Sequence, residues 1–164
     1  MMHSGINFEA AAMPLVSDLY RTAFRMVHDE AAAERFVKRT FVEVRRESRP
    51  MWDADEIRLQ LFRGLFRKIH QGRKAWLHIK TWLTGDADTP DDYSDRNEIL
   101  RELDGIPGIL REAVLLADVE GFNKREVARI LEIPEELAAS RLAEGRSRLR
   151  EALADSAAPA RVSA

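Results

Sequence analysis

Apolar side chains recur along the first half of the chain at the three- and four-residue spacings of amphipathic helices. The residues on the first two apolar faces are Leu15, Leu19, Ala23, Met26 and Val27, then Ala33, Val37, Thr40, Phe41 and Val44. Asp29 is placed to cap the second helix, and Asp53 a third. No segment alternates apolar and polar positions over the length of a strand. The pattern therefore predicts an all-α protein.

Residues 106–153 show the same periodicity in three closely spaced segments. The predicted inward positions are Ile106, Ile109, Leu110, Ala113, Val114 and Ala117, then Val127, Ile130 and Leu131, then Ala138, Leu142, Gly145, Leu149 and Leu153. Asn123 and Glu126 have the spacing of a capping box, and Pro134 suits the first turn of the last helix. The turn of about four residues before that helix favours a helix-turn-helix over a generic helical hairpin.

A short acidic segment separates the two halves. Residues 1–83 carry a net charge of +5, residues 84–97 one of −4 and residues 98–164 one of −3. The middle segment also contains Gly85 and Pro90 and lacks an apolar face. We therefore predict two small helical domains, residues 1–83 and 98–155, joined by an acidic linker at 84–97. Residues 156–164 are expected to form a disordered tail.

The third helical segment of the front half interleaves cations with aromatic rings. The residues concerned are Arg58, Arg63, Arg67, Lys68, His70, Arg73, Lys74, His78 and Lys80, with Phe62, Phe66, Trp76 and Trp82. Cations can neutralise phosphates while rings stack on unpaired bases. Alternatively, the rings form a core-facing stripe and the cations a solvated back. Gly72 is expected to weaken this helix.

Composition excludes several classes of protein. There are no cysteines, so disulfides, thiol nucleophiles and thiolate metal sites are excluded. No two histidines lie four residues apart, as a helical metal pair requires. Charged residues make up 33% of the chain, and no apolar run has the length of a membrane span or the basic start of a signal peptide. We expect a cytoplasmic protein without catalytic residues, metal or cofactor.

The segments LYRTAFRMV (19–27), AERFVKRTF (33–41) and LFRGLFRKI (61–69) are followed in the back half by REAVLLADVEGF, EVARILEIP and SRLAEGRSRLREAL. In this order they resemble the sigma-70 family, in particular the extracytoplasmic-function (ECF) sigma factors of bacterial RNA polymerase. The resemblance implies a front domain similar to sigma region 2, which docks on core polymerase and handles the −10 element. The back domain would be similar to region 4, which reads the −35 element. It also implies a monomer, with an anti-sigma factor as a possible further partner.

The resemblance assigns roles to three sets of residues. Those expected on the −10 side are Arg63, Arg67, Lys68, Arg73 and Lys74. Those expected on the −35 side are Ala139, Ser140, Arg141 and Arg146, the two arginines gripping phosphates and the serine approaching base edges. Those expected to face the polymerase are Glu34, Arg35, Lys38 and Arg39.

The chain also departs from the family pattern. Arg35, Lys38 and Arg39 stand where the family usually has Asp, Gln and Glu, which changes the local charge by +5. Glu135 and Glu136 occupy the first turn of the predicted recognition helix. Two hypotheses follow. The chain is a divergent sigma factor that directs promoter-specific initiation, or it is a sigma-like interaction module that binds an anti-sigma partner without promoter activity.

A third departure lies in the turn before the recognition helix, where Glu132 replaces a glycine that is usual in the family. If the backbone there needs a positive φ, the side chain costs on the order of 1 kcal/mol.

Overall fold

The computed structural model describes the backbone of residues 7–83 and 98–158 and the side chains of residues 7–72 and 99–158. Every regular element in these ranges is helical, which confirms the predicted all-α class. Contacts divide the chain into two compact units, one built from the helices before residue 84 and one from those after residue 97, with residues 129–132 assigned to the first. The predicted linker at 84–97 lies outside the described residues.

Three of the four α-helices described in the first unit begin at polar caps. The four helices are α1 (Phe8–Ala12), α2 (Val16–Val27), α3 (Glu30–Glu47) and α4 (Ala54–Leu83), with a 3₁₀ turn at Met13–Leu15, and the capped ones are α1, α3 and α4. The Asp29 carboxylate accepts a hydrogen bond of 2.7 Å from the Ala32 amide, and that of Asp53 accepts one of 2.8 Å from Glu56. Both predicted caps are therefore confirmed. Between α2 and α3 the chain reverses at His28, which adopts a left-handed conformation with φ of 53°.

The apolar face of α4 forms the centre of this unit's core. Its fully buried side chains are Leu61, Phe62, Leu65, Phe66 and Ile69. Phe62 and Phe66 have no exposed surface, so these two rings pack in the core and are not available to stack on bases. Of the two alternatives for the aromatic stripe, the structure thus selects the core-facing one for both phenylalanines. The side chains of Trp76 and Trp82 lie outside the described residues.

Gly72 does not interrupt α4, which continues to Leu83. A β-carbon at Gly72 would lie 2.8 Å from Cζ of Phe36, closer than such atoms approach. The glycine therefore lets α4 pack directly against the Phe36 ring of α3. This close packing, rather than a weak point in the helix, explains a residue that otherwise costs about 1 kcal/mol in a helix interior.

The second unit contains one more helix than the sequence predicted. Its helices are α5 (Glu98–Gly105), α6 (Gly108–Val114), α7 (Lys124–Leu131) and α8 (Glu135–Ala157), with a π-helical turn at Leu115–Val119 after α6. Ile106 is buried, but it lies between α5 and α6 rather than within a helix. The Arg111 guanidinium fixes this connection by donating to the carbonyl oxygens of Asp104 at 2.8 Å and Ile106 at 3.2 Å.

Two details of the predicted apolar faces are wrong. Ile109 is 53% exposed, whereas Leu115 and Leu116, which the helical spacing did not select, are fully buried. The π-helical turn begins at Leu115 and departs from the 3.6-residue period, which accounts for the burial of Leu115 and Leu116. Ile109 lies in the first turn of α6, ahead of the π-helical turn, so its exposure does not depend on it. Toward the end of α8, Leu149 and Leu153 are only half-buried.

The C-terminal helix extends to Ala157, beyond the start of the predicted tail at residue 156. Ser156 donates a hydrogen bond of 2.7 Å to the Glu102 carboxylate and so ties the end of α8 to α5. Residues 159–164 lie outside the described residues. Among the described helices, none combines the length and the apolar composition that a membrane crossing requires.

Candidate nucleic-acid interface

Helices α7 and α8 and the tight turn between them form a helix-turn-helix. A reciprocal capping box begins α7: the Asn123 side chain accepts from the Glu126 amide at 3.0 Å, and the Glu126 carboxylate accepts from the Asn123 amide at 2.9 Å. In the turn, Glu132 has φ of 56°, and the Ile133 amide donates to the Ala128 carbonyl at 3.1 Å. The backbone at Glu132 therefore does adopt a positive φ, so that a residue with a side chain occupies a left-handed position that favours glycine. Pro134 stands at the N-cap, just before the predicted first turn.

The inward face of α8 combines two small residues with a leucine. Ala138, Leu142 and Gly145 are buried. A β-carbon at Gly145 would lie 2.7 Å from Cγ2 of Val114 and 3.1 Å from the Leu110 carbonyl oxygen. Only a glycine allows α8 to approach α6 this closely, and this contact determines which face of α8 remains accessible.

Along the first two turns of α8, the accessible face presents first an acidic residue, then an apolar one and then a polar one. Glu136 is exposed, Leu137 is 40% exposed and Ser140 is exposed. The carboxylate of Glu135 lies 3.7 Å from the Arg125 guanidinium, an ion pair near the start of the helix. Of the predicted −35 residues, Ser140 is therefore presented to solvent at the N-terminal half of the helix, while Ala139 and Arg141 are half-buried.

Arg146 is held by the carboxylate of Asp118, a pairing that the sequence does not indicate. Its Nε and Nη2 donate to the two carboxylate oxygens of Asp118 at 3.0 and 2.6 Å. This bidentate pair raises the pKa of the Arg146 guanidinium, chiefly through the hydrogen bond to Asp118. A phosphate would have to displace Asp118 before it could bind the same donors. Because the two residues are 28 positions apart, no helical spacing could have indicated the pair.

The predicted −10 residues divide into three groups. Arg63 and Arg67 are one helical turn apart on α4, and each side chain is 35% exposed. Lys68 is only 12% exposed and pairs with the Glu43 carboxylate of α3. It therefore connects two helices and is not presented as a phosphate ligand. Arg73 and Lys74 lie within α4, but their side chains are outside the described residues.

The predicted polymerase-facing residues all lie on exposed positions of α3. They are Glu34, Arg35, Lys38 and Arg39. The Lys38 ammonium lies 3.5 Å from the Glu34 carboxylate, with 77% and 59% of the side chains exposed. A pair so exposed contributes little to stability. The surface is thus predominantly cationic and open to a partner.

Residues 96–149 match the family model for sigma-70, region 4. This segment contains α7, the turn and α8 as far as residue 149. Residues 96–149 therefore belong to the sigma-70 family. The match confirms the recognition predicted from the sequence for this segment, in which Glu132, Glu135 and Glu136 depart from the family pattern.

Solved structures of a sigma factor and of PhyR proteins share the fold over most of the chain. The co-crystal structure of the sigma factor RpoE with the anti-sigma factor NepR from Bartonella quintana matches with a TM-score of 0.73 and 21% identity, covering 90% of this chain and 96% of that chain. The complex of the anti-anti-sigma factor PhyR with NepR from the same organism gives 0.56 and 15%, covering 88% and 50%. The PhyRSL–NepR complex from Sphingomonas sp. Fr1 gives 0.65 and 19%, covering 89% and 88%. At these identities the likeness is one of fold.

Proposed function

We propose that this sigma-70-type protein acts as a divergent ECF-like sigma factor, binding core RNA polymerase and promoter DNA to direct promoter-specific initiation. The observation that carries the proposal is the region 4 helix-turn-helix, whose α8 presents Ser140 to solvent beside Arg141. Such a protein lends specificity to the polymerase and has no catalysis of its own.

A pull-down of core polymerase by the purified chain, followed by run-off transcription on fragments of host genomic DNA, tests this function. Retention of core enzyme together with discrete transcripts is the expected result. A chain that binds neither core enzyme nor duplex DNA at low salt would contradict the proposal.

A second candidate function is a sigma-like module that binds an anti-sigma factor without promoter activity. Two observations favour it: carboxylates at Glu135 and Glu136 open the recognition helix, and Arg146 is paired with Asp118. Both features weaken attraction to phosphates. The fold is shared with the anti-anti-sigma factor PhyR, whose structure was solved in complex with the anti-sigma factor NepR. Binding of an anti-sigma protein from the host, with no transcript in the run-off assay, would decide for this function.

Replacing Asp118 by asparagine is expected to increase the affinity of the chain for duplex DNA. The change removes the charge that holds the Arg146 guanidinium at 2.6 Å and so releases this guanidinium for a phosphate. One additional phosphate contact steepens the dependence of log K on log salt by about 0.9. Fluorescence anisotropy of a labelled duplex across a salt series measures both quantities.

The matched control is the double variant Asp118→Asn with Arg146→Ala, which should return the salt slope to its original value. A slope that stays unchanged in Asp118→Asn itself would show that Arg146 does not reach DNA.

Reversing the charge of the α3 face is expected to strengthen polymerase binding. The variant Arg35→Asp with Arg39→Glu restores the residues usual in the family, and both positions are exposed, so folding is not affected. Like-charge juxtaposition at an interface costs several kcal/mol, and its removal should tighten binding at least tenfold. Core polymerase retained by the immobilised variant and by the original chain is compared. Equal retention would mean that polymerase does not use this face.

A further inference from the structure

The outward face of α3 carries a line of arginines with one exposed valine among them. We call Arg35, Arg39, Val42 and Arg46 the basic stripe; they follow one another at spacings of four, three and four residues. The residues that α3 buries, among them Ala33 and Val44, lie on the opposite face of the helix. All four members of the stripe are exposed, Val42 by 54%.

The charge of the basic stripe is not balanced by its neighbours. Within the part of the chain that the structure describes, Arg35, Arg39 and Arg46 take part in no ion pair. The carboxylate of Glu43, one residue from Val42, is bound to the Lys68 ammonium of α4. The carboxylate of Glu34 faces Lys38. Three guanidiniums are therefore presented together over roughly 16 Å of helix, at a rise of about 1.5 Å per residue.

A groove of about 750 Å³ runs along the basic stripe between α3 and α4. Phe36 and Gly72, which pack directly on each other, lie in this groove, and Arg39, Val42 and Arg46 contribute to its lining. Glu43 and Glu47 also line it, so the groove has two acidic positions among four basic ones, and the Glu43 carboxylate is already bound to Lys68. Its surface thus combines an aromatic ring and an aliphatic side chain with a row of cations.

This combination discriminates between two classes of ligand. A nucleic-acid backbone needs cations and polar donors, and gains nothing from an exposed valine at the centre of the surface. A protein helix with one apolar face and flanking carboxylates uses both features. Its apolar side chains bury Val42 and the ring of Phe36, and its carboxylates accept bidentate hydrogen bonds from the arginines. Arginine and aromatic residues are also the types most enriched in protein–protein interfaces.

We propose that the basic stripe and its groove are the docking site of an acidic amphipathic helix of a partner protein. The inference goes beyond the proposed function, because the acidic helix belongs to a protein partner other than core polymerase, whose binding is expected to tighten when Arg35 and Arg39 are replaced by acidic residues. The arginines of the basic stripe select a partner that carries carboxylates. A partner suited to the acidic residues that the family usually has at positions 35 and 39 would carry the opposite charge.

The test uses the full chain and a synthetic helical peptide, without polymerase. The probe is a fluorescein-labelled peptide of about 18 residues, five helical turns, with leucines along one face and glutamates flanking them. A scrambled peptide of identical composition and a single-stranded oligonucleotide of similar length are the comparison ligands. The expected result, by anisotropy at low salt, is that the amphipathic peptide binds at least tenfold more tightly than the scrambled one.

Two variants locate the site. Arg39→Glu with Arg46→Glu, and separately Val42→Asp, should each weaken peptide binding at least tenfold. The matched control is Arg148→Glu with Arg150→Glu on the exposed side of α8, which changes the net charge equally and should leave peptide binding unchanged. Circular dichroism verifies that each variant is folded. Equal binding of both peptides, tighter binding of the oligonucleotide to the stripe, or an unaffected Val42→Asp would each overturn the proposal. None of these results depends on whether the chain binds polymerase in the pull-down.

Discussion

Replacement of Phe66 by alanine is expected to lower the free energy of unfolding of the first unit by about 3–5 kcal/mol. The Phe66 ring has no exposed surface, and it meets the ring of His70, one turn further along α4, edge-on at 6.2 Å between centroids. Its removal leaves a cavity in a close-packed core, and the lost contacts add to the lost burial of apolar surface. All three tryptophans of the chain, at 52, 76 and 82, lie in the front half, so tryptophan fluorescence during urea denaturation follows this unit.

The same variant decides between the two roles that the sequence allowed for the aromatic stripe. A ring that stacked on unpaired bases would be exposed, and its loss would weaken DNA binding with little effect on stability. Gln71→Ala, an exposed change on the same helix, is the control and should shift the unfolding free energy by less than about 0.5 kcal/mol. A loss of under about 1 kcal/mol in Phe66→Ala would contradict the buried position of the ring.

Local signals in the sequence predicted most of the helical architecture. The caps at Asp29, Asp53 and Asn123 each involve residues only three positions apart, and all three form as predicted. The left-handed backbone at Glu132 could also be anticipated, because the family usually has a glycine at this position and glycine is the residue that favours a positive φ. Such features depend on backbone geometry over a few residues, which a periodic pattern and capping preferences encode.

The chemistry of the candidate interfaces depended instead on contacts between distant residues. Arg146 and Lys68 were both predicted to reach DNA, and each is held by a carboxylate on another element, Asp118 and Glu43. Neither partner is within a helical turn of its cation, so sequence spacing carried no information about the pairing. The burial of both Leu115 and Leu116 likewise depends on a π-helical turn, which a 3.6-residue period does not predict.

Replacement of Gly145 by alanine is expected to destabilise the second unit by about 1–3 kcal/mol, although alanine is the better helix former by about 1 kcal/mol. The added methyl group would lie 2.7 Å from Cγ2 of Val114 and 3.1 Å from the Leu110 carbonyl oxygen. The side chain of Val114 is buried in the core, and the carbonyl belongs to the backbone of α6, so neither can yield without moving a helix. The two effects oppose each other, and the steric one is larger because α8 must move away from α6 over the length of the contact.

Gly105→Ala provides the matched control. Gly105 is the last residue of α5 and is exposed, and a β-carbon there would meet nothing within 4 Å. That variant should be neutral or stabilising by up to about 1 kcal/mol, through helix propensity alone. Hydrogen–deuterium exchange of peptides from residues 106–149 reports on this unit separately, and amides of α6 and α8 should exchange faster in Gly145→Ala than in Gly105→Ala. If both glycines tolerate alanine equally, the close approach of α8 to α6 does not fix the orientation of the recognition helix.

Because that approach determines which residues of α8 face solvent, Gly145→Ala should also weaken any binding that uses Ser140, whether the partner is promoter DNA or a protein.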